Sequence, residues 1–391
     1  MIMTNCDPII LTQSLIQCAS VTPEDNGVIK CVKSHLESFG CKCEILEFSS
    51  KDSYNVRNLF ASIGKNGKHF AFAGHTDVVP IGDEKSWKHG PFDGNIVEGR
   101  IYGRGSEDMK SAVACFISAT EKFINKYGND FGGRISFIIT NDEEKDAING
   151  TKRIMEWIKE NNITVNDCIV GEPTSNQIVG DKIKIGRRGS TNFYLEIKGI
   201  QGHTANSHRA ENPIHHLVKV LQNLMSEPLD VGNEYFLPSS LQIATIDVGN
   251  TASNVIPEKV RATINIRFNN LHTGKSLNKI LKEKIDEILK NQKNINYSLV
   301  QEITGESFLT KPNTLVNIVS EVCETINGKK PMLGTDGGTS DARFIKDYSQ
   351  VLEIGVVNNT LHKVDESVAI IDLEKLTNIY YEILKKYFTK N

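Results

Sequence analysis

The most constraining feature of the sequence is a short apolar run at residues 68–74, whose centre reads Phe-Ala-Phe-Ala. A strand without a polar face must be covered on both sides, which is typical of the centre of a parallel sheet. Helix-like and strand-like segments alternate after it, with helices predicted at 108–127 and 150–160 and strands at 134–140 and 167–170. This alternation indicates an α/β fold with a mixed, largely parallel sheet.

The order of predicted helices and strands changes from Arg187 onward. The predicted elements there are strand 190–199, helix 212–225, strand 240–248, strand 259–268, helix 274–290 and strand 295–301. That order is the ferredoxin-like α+β arrangement, which is complete in itself. A chain of 391 residues is longer than one compact core usually needs, so we predict an inserted domain. We expect residues 1–187 with 302–391 to form one domain and residues 188–301 to form the other.

Overall charge and composition exclude several classes of protein. The net charge is only −3, so the sequence favours neither nucleic acid nor a membrane surface as a partner. Residues 1–10 lack the order of a secretory signal, and no apolar run is long enough to span a bilayer. The eight cysteines are scattered without a C-x-x-C pair, which favours reduced structural thiols. We therefore expect a soluble, cytoplasmic protein.

Polar residues able to bind a metal follow three of the predicted strands. His75 comes directly after the central strand, and Glu144 and Glu172 follow the next two strands. The carboxyl ends of strands are where α/β sheets collect ligands and catalytic groups. Asp77 lies two residues beyond His75, so its side chain is placed to accept the second imidazole N–H and fix the tautomer.

Asp108 and His362 complete the candidate set. Each residue also has an ordinary interpretation: a structural histidine for His75, a helix cap for Asp108, a solvated acidic loop for Glu144 and a surface position for His362. These separate interpretations do not explain why acids and a histidine follow three successive strands. A mixed nitrogen and oxygen ligand set suits zinc, cobalt or manganese. If Asp108 bridges two ions, a water between them becomes a nucleophile, and Glu143 is free to act as general base.

Short sequence blocks occur in order along nearly the whole chain. They are G-H-T-D-V-V-P from Gly74, G-R-G-S-E-D-M-K from Gly103, D-E-E from Asp142, G-E-P-T from Gly171, G-R-R-G-S from Gly186, Q-G-H from Gln201, S-N-V-I-P from Ser253, G-G-T-S-D-A-R-F from Gly337 and L-H-K-V-D-E from Leu361. In these blocks the chain resembles the dinuclear zinc aminoacylase and carboxypeptidase family. One block is weakly specific, whereas the series in register is very specific.

The resemblance implies an amidohydrolase with two zinc ions per subunit, for which cobalt can substitute. It assigns His75, Asp108 and Glu172 to one ion and Glu144, Asp108 and His362 to the other. It also implies that Glu143 is the general base, that Asp77 supports His75, and that the Asp108–Met109 peptide is cis. The inserted domain is similar to the dimerisation lid of the family, which implies a homodimer. His203 would then reach the neighbouring subunit's site and hydrogen-bond the oxyanion.

The resemblance also bears on the acyl group. A succinyl amide carries a free carboxylate, for which a bidentate arginine with neutral donors is the expected site. By resemblance this site comprises Arg187, Ser190, Thr339 and Asn254 of the partner subunit, whereas Arg267 would hold a carboxylate at the other end of the substrate. Each also has an ordinary interpretation as a polar strand or loop residue. The implied reaction is hydrolysis of N-succinyl-LL-2,6-diaminopimelate to succinate and LL-2,6-diaminopimelate.

Two alternatives stay open. One is a related N-acyl-amino acid amidohydrolase, such as an acetylornithine deacetylase, and the other is a non-catalytic, metal-stabilised binding protein. The chain also departs from the family pattern. Relatives more often have alanines at Ser106 and Glu107, Tyr-Pro at Asn206 and Ser207, and a small residue at Asp336. These departures leave the expected zinc ligands intact and affect the partner loop and substrate fit.

Overall fold

The computed structural model describes residues 6–51 and 53–389. Its helices are α1 (Pro8–Gln17), α2 (Val28–Ser38), α3 (Ser111–Tyr127), α4 (Thr151–Glu160), α5 (Pro213–Met225), α6 (Gly274–Leu289), α7 (Thr314–Asn327), α8 (Ala342–Ile345) and α9 (Ile370–Thr389). Its strands are β1 (Lys42–Ser50), β2 (Ser53–Gly64), β3 (Lys68–His75), β4 (Ile96–Val97), β5 (Arg100–Tyr102), β6 (Gly133–Thr140), β7 (Asp167–Val170), β8 (Lys182–Lys184), β9 (Gly186–Arg187), β10 (Gly189–Lys198), β11 (Gly202–His203), β12 (Ser240–Asp247), β13 (Val255–Ile256), β14 (Lys259–Phe268), β15 (Asn296–Gly305), β16 (Phe308–Leu309), β17 (Met332–Gly334), β18 (Gln350–Glu353) and β19 (Ser367–Ala369). Residues 1–5, where the segment predicted to lack a secretory signal begins, lie outside the described residues. Within the described ranges, no helix is long and apolar enough to cross a membrane.

Contacts divide the chain into two compact units. The first comprises the described parts of Met1–Ile185, Thr310–Gly334 and Ser340–Asn391, and the second comprises Gly186–Leu309 with Thr335–Thr339. The predicted boundaries, 1–187 with 302–391 and 188–301, differ from this division in residues 186–187, 302–309 and 335–339. Part of the difference arises because β15 continues to Gly305 and because β16 pairs with β9.

The first unit is built on one sheet, for which the described strands give the order β1-β2-β6-β3-β7-β18-β8-β17. β3 is parallel to β6 and β7, and β18 is parallel to β7, whereas β1 and β2 are antiparallel at one edge. Every residue of β3 after Lys68 is buried, as expected for a strand covered on both faces. The predicted α/β class, with a mixed and largely parallel sheet, is confirmed.

Helix α3 forms the centre of the core of the first unit. Every residue from Ser111 to Thr120 is buried, and α9 packs against this helix. Phe72 of β3 stacks on Phe116 with ring centroids 4.5 Å apart, and Tyr380 of α9 meets Phe116 at 5.3 Å. Such aromatic pairs add to the free energy gained by apolar burial. Strand β3 is therefore held firmly, and so is the position of its carboxyl end.

The entry into α3 differs from the prediction that Asp108 begins this helix. Helix α3 begins at Ser111, because Asp108 (φ −121°, ψ 99°) and Met109 (φ −134°, ψ 31°) have non-helical backbone angles. Gly105 precedes them with φ 83°, and a Cβ added there would lie 2.5 Å from Val78 Cγ1, so the turn requires glycine. The Asp108–Met109 peptide is cis, as the resemblance implies. Asp108 is therefore not a helix cap.

The second unit contains a four-stranded antiparallel sheet, in the order β12-β14-β10-β15 among its described strands. Chain order runs β10, α5, β12, β14, α6 and β15, which confirms the predicted ferredoxin-like arrangement. Residues of β14 alternate between buried and accessible because one face of the sheet packs into the core of this unit. Strand β12 lies at the edge of the sheet, and most of its residues are accessible.

Candidate metal centre

His75 is the last residue of β3, and 1% of its surface is exposed. Its Nδ1 lies 2.9 Å from the carbonyl oxygen of Asp77. Because a carbonyl oxygen only accepts, Nδ1 carries the proton, and the neutral ring keeps its lone pair on Nε2. That Nε2 faces Asp108, whose Oδ1 is 3.1 Å away. Two acceptor atoms thus face each other, which is favourable only when a proton or a metal cation lies between them.

Asp108 lies between two imidazole rings. Its Oδ1 faces His75, and its Oδ2 lies 3.2 Å from Nε2 of His362. Glu144 Oε1 is 3.1 Å from the same His362 nitrogen, and Glu172 Oε1 is 4.0 Å from Nε2 of His75. The structure therefore brings the five predicted ligands together in two sets that share Asp108. A carboxylate whose two oxygens face different ligand nitrogens suits a bridge between two cations.

The donor atoms of this cluster suit a divalent cation. The ligand atoms of His75, Asp108 and Glu144 all lie within 4.8 Å of one another, so this group could hold a metal ion. Imidazole nitrogen combined with carboxylate oxygen is a ligand set that zinc uses in proteins, and cobalt and manganese accept similar ligands. The residues present therefore fit the metal that the sequence predicts.

Negative charge accumulates around the two imidazoles. Hydrogen bonds to Asp108 and Glu144 raise the pKa of His362 to about 10. Burial, and then the charge of Glu172, raises the pKa of Glu143 well above its ordinary value, and burial also raises the pKa of Glu144. Bound divalent cations would offset this repulsion and favour the ionised carboxylates.

Asp77 supports the site through two different groups. Its carbonyl oxygen accepts the proton of His75 Nδ1, whereas its nearest carboxylate oxygen is 3.6 Å from that nitrogen. The carboxylate instead accepts the backbone N–H of Glu143 and that of Glu144, each at 3.0 Å, and the hydroxyl of Thr22 at 2.8 Å. We predict the carboxylate as the partner of the imidazole. In the structure that partner is the main chain, and the carboxylate holds the loop that carries Glu143 and Glu144.

Glu366 is a residue of the site that the sequence interpretation does not assign. It is completely buried. Its carboxylate accepts the backbone N–H groups of Gly105 at 3.1 Å, Glu107 at 2.9 Å and Asp108 at 3.1 Å, and it pairs with Arg104 at 2.8 Å. Such outer contacts orient metal ligands. The only signal in the sequence is its position at the end of the L-H-K-V-D-E block, where a lone acid reads as a solvated loop residue.

Comparison with known proteins identifies the family. The sequence profile of "Peptidase family M20/M25/M40" matches residues 71–386. The chain belongs to this family. The family resemblance drawn from the sequence is thereby confirmed, and the matched range includes every candidate metal ligand from His75 to His362.

Two curated relatives are similar over nearly the whole chain. The succinyl-diaminopimelate desuccinylase of Parvibaculum lavamentivorans is 46% identical over 382 residues, which cover 98% of this chain and 96% of the relative. That of Rhodospirillum centenum is 47% identical over 382 residues, which cover 98% of this chain and 97% of the relative. The crystal structure of aminopeptidase PepT from Bacillus cereus matches with a TM-score of 0.78 at 19% identity, covering 99% of this chain and 100% of that one. This last likeness shows the fold alone.

In this M20/M25/M40 family member, the residues predicted to bind substrate carboxylates lie in the second unit. Arg187 and Ser190 are buried. Arg187 Nη1 donates to the carbonyl oxygen of Gly338 at 3.0 Å, directly before Thr339. Ser190 of β10 lies opposite Arg267 of β14. The second unit thus brings Arg187 close to the Thr339 segment and pairs Ser190 with Arg267.

His203 and Asn254 lie at a separate, exposed place in the same unit. His203 belongs to β11, which pairs with β13 directly after Asn254. The Asn254 carbonyl accepts the N–H of Thr204 at 3.0 Å, and His203 Nδ1 accepts the N–H of Ala205 at 3.0 Å. The neutral His203 ring therefore carries its proton on Nε2, which makes this nitrogen a donor. Both residues are exposed.

Proposed function

We propose that this chain hydrolyses N-succinyl-LL-2,6-diaminopimelate to succinate and LL-2,6-diaminopimelate, a step of lysine and diaminopimelate biosynthesis. The observation that carries the proposal is the Asp108 carboxylate between the imidazoles of His75 and His362. Relatives that are 46% and 47% identical over 98% of the chain bear the name of the same reaction, which supports the choice of substrate.

The two ligand sets would hold two divalent cations per subunit, and we assign zinc to both, with cobalt as a substitute. One set is His75, Asp108 and Glu172, and the other is Glu144, Asp108 and His362. Each set combines one imidazole with carboxylates, which suits zinc. When bound, the ions supply Lewis-acid polarisation of the amide carbonyl and make an attacking water more acidic.

Glu143 is assigned as the general base. Its backbone N–H is held by the Asp77 carboxylate at 3.0 Å. Burial raises the pKa of its carboxyl above the ordinary value, which makes it a stronger base. Glu143 takes a proton from the attacking water as the water oxygen bonds to the carbonyl carbon. It returns this proton to the leaving nitrogen as the C–N bond breaks, which releases an acid and an amine.

Recognition of the succinyl carboxylate is assigned to Arg187, Ser190, Thr339 and the partner's Asn254. A buried guanidinium with hydroxyl and amide donors suits a carboxylate, because guanidinium groups bind carboxylates with two parallel hydrogen bonds. Arg187 and Ser190 are both buried, which favours such a contact over a solvated one. Arg267 is assigned to a carboxylate at the diaminopimelate end.

We also assign a homodimer in which His203 of one subunit acts in the site of the other. The exposed Nε2–H of His203 is a suitable donor to the oxyanion, and such a bond forms mainly in the transition state. The accessible edge strand β12 supports the assignment, because an open edge can pair with a second copy. The cytoplasmic location stays a prediction from the sequence.

A two-substrate assay at stepwise zinc loading tests the proposed function. We expect kcat/KM to rise with zinc up to two equivalents and to favour N-succinyl-LL-2,6-diaminopimelate over N-acetylornithine by about 10- to 100-fold, the value of a charged hydrogen bond. The matched variant Arg187→Lys keeps the charge but not the fork of donors, so it should lose most of this preference. A higher rate on the acetyl substrate would reassign the chain as a deacetylase. Two bound zinc ions without hydrolysis of any acyl-amino acid would support the binding-protein alternative.

A further inference from the structure

Two loops that carry proposed metal ligands run side by side. The first loop, residues 103–108, ends at Asp108. The second loop, residues 359–366, contains His362. The loops are neighbours because β5, which precedes the first loop, pairs with β19, which follows the second. Asp108 and His362 therefore depend on contacts between two segments that are far apart in the chain.

Glu107 lies in the first loop and is 1% exposed. Its carboxylate accepts three hydrogen bonds from the second loop: from the N–H of Asn359, from the N–H of Thr360 at 2.7 Å, and from the hydroxyl of Thr360. Two of these donors are backbone groups, which cannot rotate away. The side chain that directly precedes Asp108 thus holds the backbone two residues before His362.

Glu366 makes the reverse connection. It lies at the end of the second loop, and its buried carboxylate accepts the N–H groups of Gly105, Glu107 and Asp108 in the first. Burying a carboxylate is unfavourable unless hydrogen bonds satisfy it, and both acids meet that condition. Each acid therefore belongs to one loop and fixes the backbone of the other.

We propose that Glu107 and Glu366 are positioning residues that set the distance between Asp108 and His362, and thereby the affinity of the metal ion that these two ligands share with Glu144. This inference rests on the proposed two-metal function. Neither acid is one of the five assigned ligands or the assigned general base. Of the ligands unique to the other ion, His75 ends β3 and Glu172 follows β7, and neither belongs to the second loop. The two ions should therefore respond differently to the loss of Glu107.

Metal titration of the full-length protein tests the inference. The apoprotein is titrated with Co²⁺ and with Zn²⁺ by calorimetry, and the visible absorption of Co²⁺ is followed at each step. In Glu107→Ala we expect the affinity for the ion held by Asp108, His362 and Glu144 to fall by about 10- to 100-fold, the usual effect of losing an outer contact. The affinity for the other ion should change by no more than a few-fold. Glu107→Gln keeps one acceptor oxygen and should recover part of the loss.

A second pair of variants covers the case in which Glu107→Ala fails to fold. Thr360→Val removes one of the three hydrogen bonds to Glu107, and Thr360→Ser retains it. We expect Thr360→Val to weaken the same ion by a few-fold and Thr360→Ser to resemble the wild type. Asp167→Ala is the control, because this acid accepts a hydrogen bond from Tyr387 at 2.6 Å at the amino end of β7, far from both loops along the strand.

The outcomes separate this inference from the proposed function. If the wild type itself binds fewer than two ions, the two-metal function fails and the inference fails with it. If the wild type binds two ions and Glu107→Ala binds both with unchanged affinity, only the positioning role is overturned. Equal weakening of both ions, or the same loss in Asp167→Ala, would reduce Glu107 to a general contribution to folding and would also overturn it.

Discussion

The two ends of strand β3 carry two buried histidines with opposite surroundings. His69, near the amino end, has Nδ1 2.8 Å from the carbonyl oxygen of Thr164 and Nε2 2.6 Å from the hydroxyl of Ser136. His75, at the carboxyl end, has the same tautomer, but its Nε2 faces the Asp108 carboxylate. Nε2 of His69 thus faces a hydroxyl that can donate a hydrogen bond, whereas Nε2 of His75 faces a carboxylate oxygen that can only accept one.

This difference separates a structural histidine from a candidate ligand. Burial lowers the pKa of His69 to about 4, so that ring is neutral and fully hydrogen-bonded. Burial also disfavours a charged His75, but Asp108 and the neighbouring acids outweigh it and raise its pKa well above the ordinary value. Both histidines are buried in the same strand, and the charge around the His75 ring is what indicates a site for a cation.

Substitution of each histidine gives the largest expected contrast. His75→Ala should lower the binding affinity for one metal ion by more than about 100-fold, beyond the loss usual for an outer contact. Activity should fall to background. His69→Ala should keep both metal ions and lose about 1–3 kcal/mol of unfolding free energy, because buried polar partners lose their bonds. Metal content and denaturant unfolding measure the two effects. Loss of metal in His69→Ala would break the comparison.

Glu143→Ala tests the site at the carboxyl end of β3 without removing a metal ligand. We expect kcat to fall by about 100- to 10,000-fold, the usual contribution of a general base, while metal content stays at the wild-type level. Steady-state kinetics on the succinyl substrate, with metal analysis of the same sample, measures both. Substantial activity in this variant would remove the assignment of Glu143.

His203 extends the comparison to a third histidine, whose neutral ring has its proton on Nε2. His203→Ala should lower kcat by about 100- to 1,000-fold, as expected for loss of one oxyanion donor. Mixing this variant with Glu143→Ala forms hybrid dimers in which one site has both groups, so about a quarter of wild-type activity should return at equal mixing. No recovery, once subunit exchange is verified, would argue against an exchanged His203.

The pH dependence of stability tests the His69 end of the comparison. Because the folded pKa of His69 lies below its ordinary value of 6.5, neutral His69 contributes fully above that pH, and its contribution is lost as the pH falls towards 4. The loss amounts to at most about 3 kcal/mol of unfolding free energy. Urea unfolding of the metal-free protein at several pH values should show this loss in the wild type, and His69→Gln should lack that part of it.

The sequence reveals those parts of the site that follow regular strands. His75 ends β3, and Glu144 and Glu172 come after β6 and β7. The apolar residues of these strands predict that they are buried. Parallel strands bring their carboxyl ends to one edge, so the convergence of these ligands follows from the pattern. The ferredoxin-like order of the second unit is readable for the same reason, because its elements are long and periodic.

Other parts depend on contacts that no local pattern encodes. His362 reaches the site through the pairing of β5 with β19, which are three residues each and too short for a visible period. Asp108 precedes a helix and reads as its cap, although its backbone is not helical. Among the described strands, β1 lies at the edge of the sheet, and Leu46 is its one buried residue, so burial places little constraint on its sequence pattern.

The position of β18 has a consequence for synthesis. In the sheet this strand lies between β7 and β8, yet in the chain it comes after the whole second unit. While the ribosome makes residues 186–309, one side of β7 has no neighbour, and open strand edges favour aggregation. The second unit can therefore fold before the first unit, whose sheet lacks β18 until that strand is synthesised. A nascent chain can close that gap and gather both histidine ligands only after residues 350–366 have emerged.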